Sequence, residues 1–133
     1  MKGEIEMRQQ TVNVKGLEHP AAVPVACRIG PILATSAVLG KDPASGELPE
    51  GAEDQARNAF INLRRVLEAA GMDLGDVVKL TIFVLDNKYR DIVYKYWNET
   101  YPNPERRPAR HTLLQPVGIG LLQLEALAVA KDA

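Results

Sequence analysis

The sequence is short of the residue types on which several chemistries depend. Cys27 is its only cysteine, so no intramolecular disulfide and no multi-cysteine metal cluster can form. His19 and His111 are its only histidines and stand far apart, with no i, i+4 pair to set two metal ligands on one helix face. Aromatic residues make up 5%, which leaves the core to aliphatic side chains. Positive charge is not in excess. Sixteen Lys and Arg face 17 Asp and Glu, for a net charge of -1, and no basic field draws a phosphate backbone. No apolar run approaches the roughly 20 residues that cross a bilayer. The first stretch, "MKGEIEMRQQ", lacks the apolar centre of a signal peptide. The expectation is a soluble, cytoplasmic protein that uses no metal and binds neither nucleic acid nor membrane.

What remains is an ordinary globular composition: 133 residues, 46% hydrophobic and 25% charged, which fits one domain over residues 1–133. Thr11 to Val14 can begin an edge strand. Pro20 and Pro24 exclude a helix in "LEHPAAVPVACRI". Gly30–Pro31 reads as a tight turn joining Val25–Ile29 to Ile32–Leu39 in a hairpin. "GKDPASGELPEG" is a loop. In "AEDQARNAFINLRRVLEAAG", Ala56, Phe60, Leu63, Leu67 and Ala70 recur at helical spacing, with Arg57, Asn58, Arg64, Arg65 and Glu68 opposite. Glu53 and Asp54 suit its N-terminal dipole, and Gly71 its C-terminal end. Val77–Val84 is β-branched and reads as a central strand. A second helix follows Asp86 or Asn87, with Tyr89, Ile92, Val93, Tyr96 and Trp97 on its apolar side, and ends before Pro102. "ARHTLLQPV" and Leu121–Ala130 are the last strands, and Gly118 and Gly120 mark a hairpin turn between them. This order predicts an α+β or α/β sandwich, a mixed sheet with two helices on one face.

Most candidate groups have a plain structural reading. The Gly-x-Gly of "VGIGLLQ" has no third glycine and no following helix, so it reads as a turn, not a phosphate cradle. Cys27 sits in an apolar extended stretch, and Arg28 next to it faces the other side, so packing explains it. Arg106 and Arg107 read as solvated loop charges. Arg110 and Glu125 differ, because both lie inside strands. A carboxylate among aliphatics is costly unless paired or set at a pocket. Two explanations stay open. In one, Glu125 pairs with an arginine or lies at a solvated edge. In the other, Arg110 anchors a substrate anion through its planar fork and Glu125 handles water or protons.

From Ile29 to Ala130 the chain resembles the Rid (YjgF-like) reactive-intermediate deaminases. The likeness lies in "GPILATSAVLGKDPASGELP", "DQARNAFINLRRVLEAAGMDLGDVVKLTIFVLD", "RPARHT" and "QLEALAVA", in that order and spacing. The resemblance implies a chorismate-mutase-like α+β fold and a homotrimer with clefts between subunits. It implies hydrolysis of amino-acid-derived enamines and imines to a 2-keto acid and ammonia, without metal or organic cofactor. It assigns Arg110 to the substrate carboxylate, Glu125 to a water, and Ser36 to a hydrogen bond with substrate. Other positions depart from the family. Ala37 replaces a usual glycine, and a cleft tyrosine is replaced around Val23. An asparagine of the second helix falls at Val93. His111 stands for a serine, ahead of Thr112 at a small-residue position. The retained anchor and carboxylate point to a carboxylate ligand, while the changed wall (Ala37, His111, Thr112) leaves its size open. A non-catalytic trimer that binds a small carboxylate and regulates a partner is the alternative. So is a deaminase for a larger, aminomuconate-like compound.

Overall fold

In the computed structural model, residues 8–131 are described, and the apolar helix face anticipated from the sequence closes over a mixed sheet. The reading of the first residues as lacking a signal segment falls largely on 1–7, outside the described residues. The strands are β1 Gln10–Val12, β2 Ala26–Ile29, β3 Ile32–Thr35, β4 Val38–Leu39, β5 Val77–Val84, β6 Ala109–Leu114 and β7 Leu122–Val129. The helices are α1 Ala52–Ala69 and α2 Arg90–Thr100. Strand order is β1-β2-β3-β7-β5-β6, with β4 also on β7. All pairs are antiparallel except β5 and β6, which are parallel and joined through α2.

Alternation along β7 sets the two faces of the sheet. Leu122, Leu124, Ala126 and Ala128 are buried toward the helices, while Glu125, Leu127 and Val129 are exposed on the other side. Ala56, Phe60, Leu63 and Leu67 of α1 and Val93 and Trp97 of α2 join Leu80, Ile82 and Val84 of β5 in one core. Each fully buried leucine there contributes on the order of 1.5–3 kcal/mol. The helix ends as its sequence predicts. Gly71 takes φ 75°, Met72 N–H donates to the Leu67 carbonyl and Gly71 N–H to that of Glu68, a Schellman closure.

Three expectations need correction. Asn58, assigned to the solvent side of α1, is buried and donates to the Gly40 carbonyl at 3.3 Å. Gln55 and Asn62 are buried beside it. Asn62 Nδ2 donates to the carbonyls of Leu39 (2.9 Å) and Lys41 (2.8 Å), and Gln55 bridges the Pro49 carbonyl and the Leu121 N–H. These amides hold the 40–51 loop against the helix. The approach is so close that any Cβ at Gly40 would collide with the Gln55 backbone. Second, β6 and β7 do not form a hairpin. Both pair with β5, so residues 115–121 cross over its end. Third, Arg107 is not simply solvated. It donates to the Tyr101 carbonyl at 2.8 Å and to Asn98 Oδ1 at 3.3 Å, tying the approach to β6 to the end of α2.

Candidate functional site

The parallel crossover from β5 through α2 to β6 lays α2 along the outer strand of the sheet. Arg110 pairs in register with Leu80, whose side chain is buried under the helices, so Arg110 points to the helix side. There α2 offers Tyr94 and Trp97, three residues apart and so on one face. The guanidinium carbon lies 3.9 Å from the Tyr94 ring centroid and 4.9 Å from that of Trp97. Trp97 is itself fixed against Tyr101, at 5.3 Å between ring centroids. Cation–π contact with both rings holds the guanidinium in place without using its N–H groups. Among the described residues Arg110 forms no ion pair and donates no hydrogen bond, although its side chain is exposed.

Thr112 lies one pleat further on the same side. The Tyr94 hydroxyl donates to its Oγ1 at 2.8 Å and accepts from Arg90 Nη1 at 3.3 Å. Burial disfavours ionisation of the Tyr94 phenol. The bonds to Thr112 and Arg90, and the charges of Arg110 and Arg90, outweigh it and hold the pKa below the ordinary tyrosine value.

The other candidates sit on the opposite face. Thr81 pairs with His111 on one side and Glu125 on the other, so these three form a row on the open sheet surface. Glu125 is exposed there, and no ion pair involves it among the described residues. Ser36 and Ala37 occur at a bulge. Ala34 pairs with Leu127 but Val38 with Leu124, so two residues of one strand oppose Glu125. Thr35 Oγ1 repairs the break by accepting from Ala126 N–H at 2.9 Å. The Ser36 hydroxyl donates to the Pro24 carbonyl at 2.8 Å, and Ala37 lines a small cavity with His19, Val25 and Leu39. One chain therefore carries two candidate half-sites: Arg110 with Thr112 on the helix side, and Glu125 with His111 on the open face, where the Ser36–Ala37 bulge lies opposite Glu125. The sheet itself stands between them.

The sequence reading missed Tyr94, Trp97 and Arg90 as neighbours of Arg110, and only the three-residue spacing of the aromatics hinted at it. Of the departures noted, Val93 is fully buried in the core and Val23 is exposed. Cys27 is half-buried in β2, while Arg28 turns away to the carbonyls of Ala70 and Gly30. Among the described residues no three His, Cys, Asp or Glu side chains cluster as a metal site would need.

Comparison with known proteins gives the family. The family model described as Endoribonuclease L-PSP matches residues 19–127. The chain belongs to the Rid (YjgF-like) family. A bovine (Bos taurus) 2-iminobutanoate/2-iminopropanoate deaminase is 36% identical over 99 residues, covering 71% of this chain and 69% of the relative. A RutC family protein of Haemophilus influenzae is 32% identical over 111 residues, covering 80% and 85%. Among solved structures, RidA from an Antarctic Psychrobacter superposes with a TM-score of 0.80 at 26% identity, over 93% of this chain and 99% of that one. The chain thus has the chorismate-mutase-like fold of the Rid proteins, a mixed sheet with two helices.

Proposed function

We propose that this protein hydrolyses reactive 2-imino or 2-enamine carboxylic acids to a 2-keto acid and ammonia, in the cytoplasm and as a homotrimer. The observation that carries the reading is Arg110: a guanidinium stacked on Tyr94 and Trp97, with no anionic partner among the described residues. A cation so oriented suits a substrate carboxylate through two parallel hydrogen bonds. The carboxylate then sets the adjacent C=N carbon in a fixed place. Water oxygen adds to that carbon and the nitrogen takes a proton. The resulting carbinolamine loses its hydroxyl proton as the C–N bond breaks and ammonia leaves. Only water and protons move, so no redox cofactor is called for.

Glu125 is the proton carrier in this scheme, with Ser36 a hydrogen-bond partner for the substrate or water. Since Glu125 faces away from Arg110 within one chain, the scheme takes each from a different copy. Apolar residues on the open sheet face support such assembly: Ile32, Leu127 and Val129 remain 41–50% exposed. Ala37 and His111 would line the Glu125 side of the cleft, and Thr112 the Arg110 side.

The test is keto-acid release from 2-iminopropanoate, generated in situ from alanine by an amino-acid oxidase. The wild type should accelerate it. Arg110→Ala should lower kcat/KM by roughly tenfold to several hundredfold, about 1.5–3 kcal/mol for a charge-assisted hydrogen bond. A variant equal to the wild type would refute the anchor. A wild type that binds 2-keto acids yet leaves the imine untouched would favour the regulatory alternative.

A further inference from the structure

Arg90 stands beside the Arg110 half-site with no part in the reaction described above. It opens α2. Its Nε donates to Asn87 Oδ1 at 2.7 Å and its Nη1 to the Tyr94 hydroxyl at 3.3 Å. The same Tyr94 ring carries the Arg110 guanidinium over its face at 3.9 Å. One phenol therefore holds one guanidinium on its face and a second at its hydroxyl. The bond from that hydroxyl to Thr112 Oγ1, at 2.8 Å, locks the ring and with it the spacing.

Two like charges side by side repel each other and raise the local positive potential. Among the described residues neither arginine has a carboxylate within ion-pair distance. Asp86, close in sequence, accepts from the Lys88 N–H instead. A guanidinium carries five N–H donors, and the two bonds of Arg90 leave its Nη2 unspent. Next to Asn87 an open surface cleft, lined by Leu85, Asp86, Leu114, Gln115 and Pro116, runs off the ends of β5 and β6. The shared Tyr94 thus sets a second cation beside a ligand seated on Arg110, while the cleft touches Asn87, the partner of Arg90, and carries one carboxylate, Asp86.

We propose that Arg90 is a specificity residue for a second acidic group, so that the site selects imines of dicarboxylic amino acids. One carboxylate lies on Arg110 and the distal one on Arg90. The reaction in this statement rests on the proposed deaminase activity; the selectivity for two carboxylates does not.

A matched pair tests it: 2-oxoglutarate against 2-oxopentanoate, which differ by the distal carboxylate. Calorimetry should show the wild type binding 2-oxoglutarate about tenfold or more tightly, as a charged hydrogen bond implies. Arg90→Met should erase that preference and Arg90→Lys should restore part of it, with thermal melts confirming that both variants fold. In turnover, the kcat/KM ratio of the glutamate imine over the norvaline imine should fall in the same variant. Equal wild-type affinities for the two acids, or a preference that survives Arg90→Met, would overturn the proposal. If the binding preference holds but neither imine is hydrolysed, the selectivity stands and the deaminase assignment fails. If both imines are hydrolysed equally well, the assignment stands and the selectivity fails.

Discussion

Arg110 shows how far a single residue could be interpreted before its neighbours were known. Its type and its place in a strand raised the question of an anion, because a strand arginine without a partner is costly to leave unexplained. Its platform was not legible. Tyr94 and Trp97 meet it only through the crossover that folds α2 back over β6, and no local pattern encodes that meeting. The stack also distinguishes arginine from lysine. Arg110→Lys keeps the charge but loses the planar fork, so its kcat/KM should fall nearly as far as that of Arg110→Ala. Tyr101 makes a second prediction at this scale. It is buried and donates to the Leu74 carbonyl at 2.9 Å. Burial, assisted by the charge of Asp73 and opposed by Arg64, raises its pKa well above the ordinary value of 10. The unfolded chain releases that proton first. The resulting stability is therefore complete below pH 10 and is lost as pH rises beyond it. Urea unfolding between about pH 9 and 11 should show a steeper loss for the wild type than for Tyr101→Phe.

At the scale of elements, α1 reveals what periodicity does and does not disclose. Its aliphatic stripe was plain in the sequence, and every residue assigned to it is buried. Its buried amides were not, because Asn58 falls on the polar side by type and only the loop above it makes that side an interior. Asn62 is the keystone: it serves two loop carbonyls and accepts from Arg65 at 2.9 Å. Asn62→Ala strands those groups in a dry place and should cost about 1–3 kcal/mol in denaturant unfolding, with the m-value unchanged. The misread link between β6 and β7 has a similar origin. Two strands separated by glycines make a hairpin if they are neighbours, but β5 lies between them, and which strand a chain pairs with is a long-range property. The break of Ile32–Leu39 at Ser36–Ala37 escaped notice for a related reason: a bulge exists only relative to the strand opposite it, here at Glu125.

For the whole molecule, the two faces of the sheet decide the account. One is closed by both helices. The other carries Glu125 and His111 amid exposed aliphatics, on the far side from Arg110. Along β7, Glu125 shares a face with Gln123 and Leu127. That Arg110 would point the opposite way required the registers of three strands. If the functional cleft joins Arg110 of one copy to Glu125 of the next, two inactive variants should repair each other. Arg110→Ala and Glu125→Gln, each deficient in imine hydrolysis and each a trimer by light scattering, are unfolded together at equal amounts and refolded. Random mixed trimers should regain about a quarter of wild-type activity, since one interface in four joins an intact Arg110 to an intact Glu125. Mixed trimers with no more activity than the separate variants would contradict a site shared between copies.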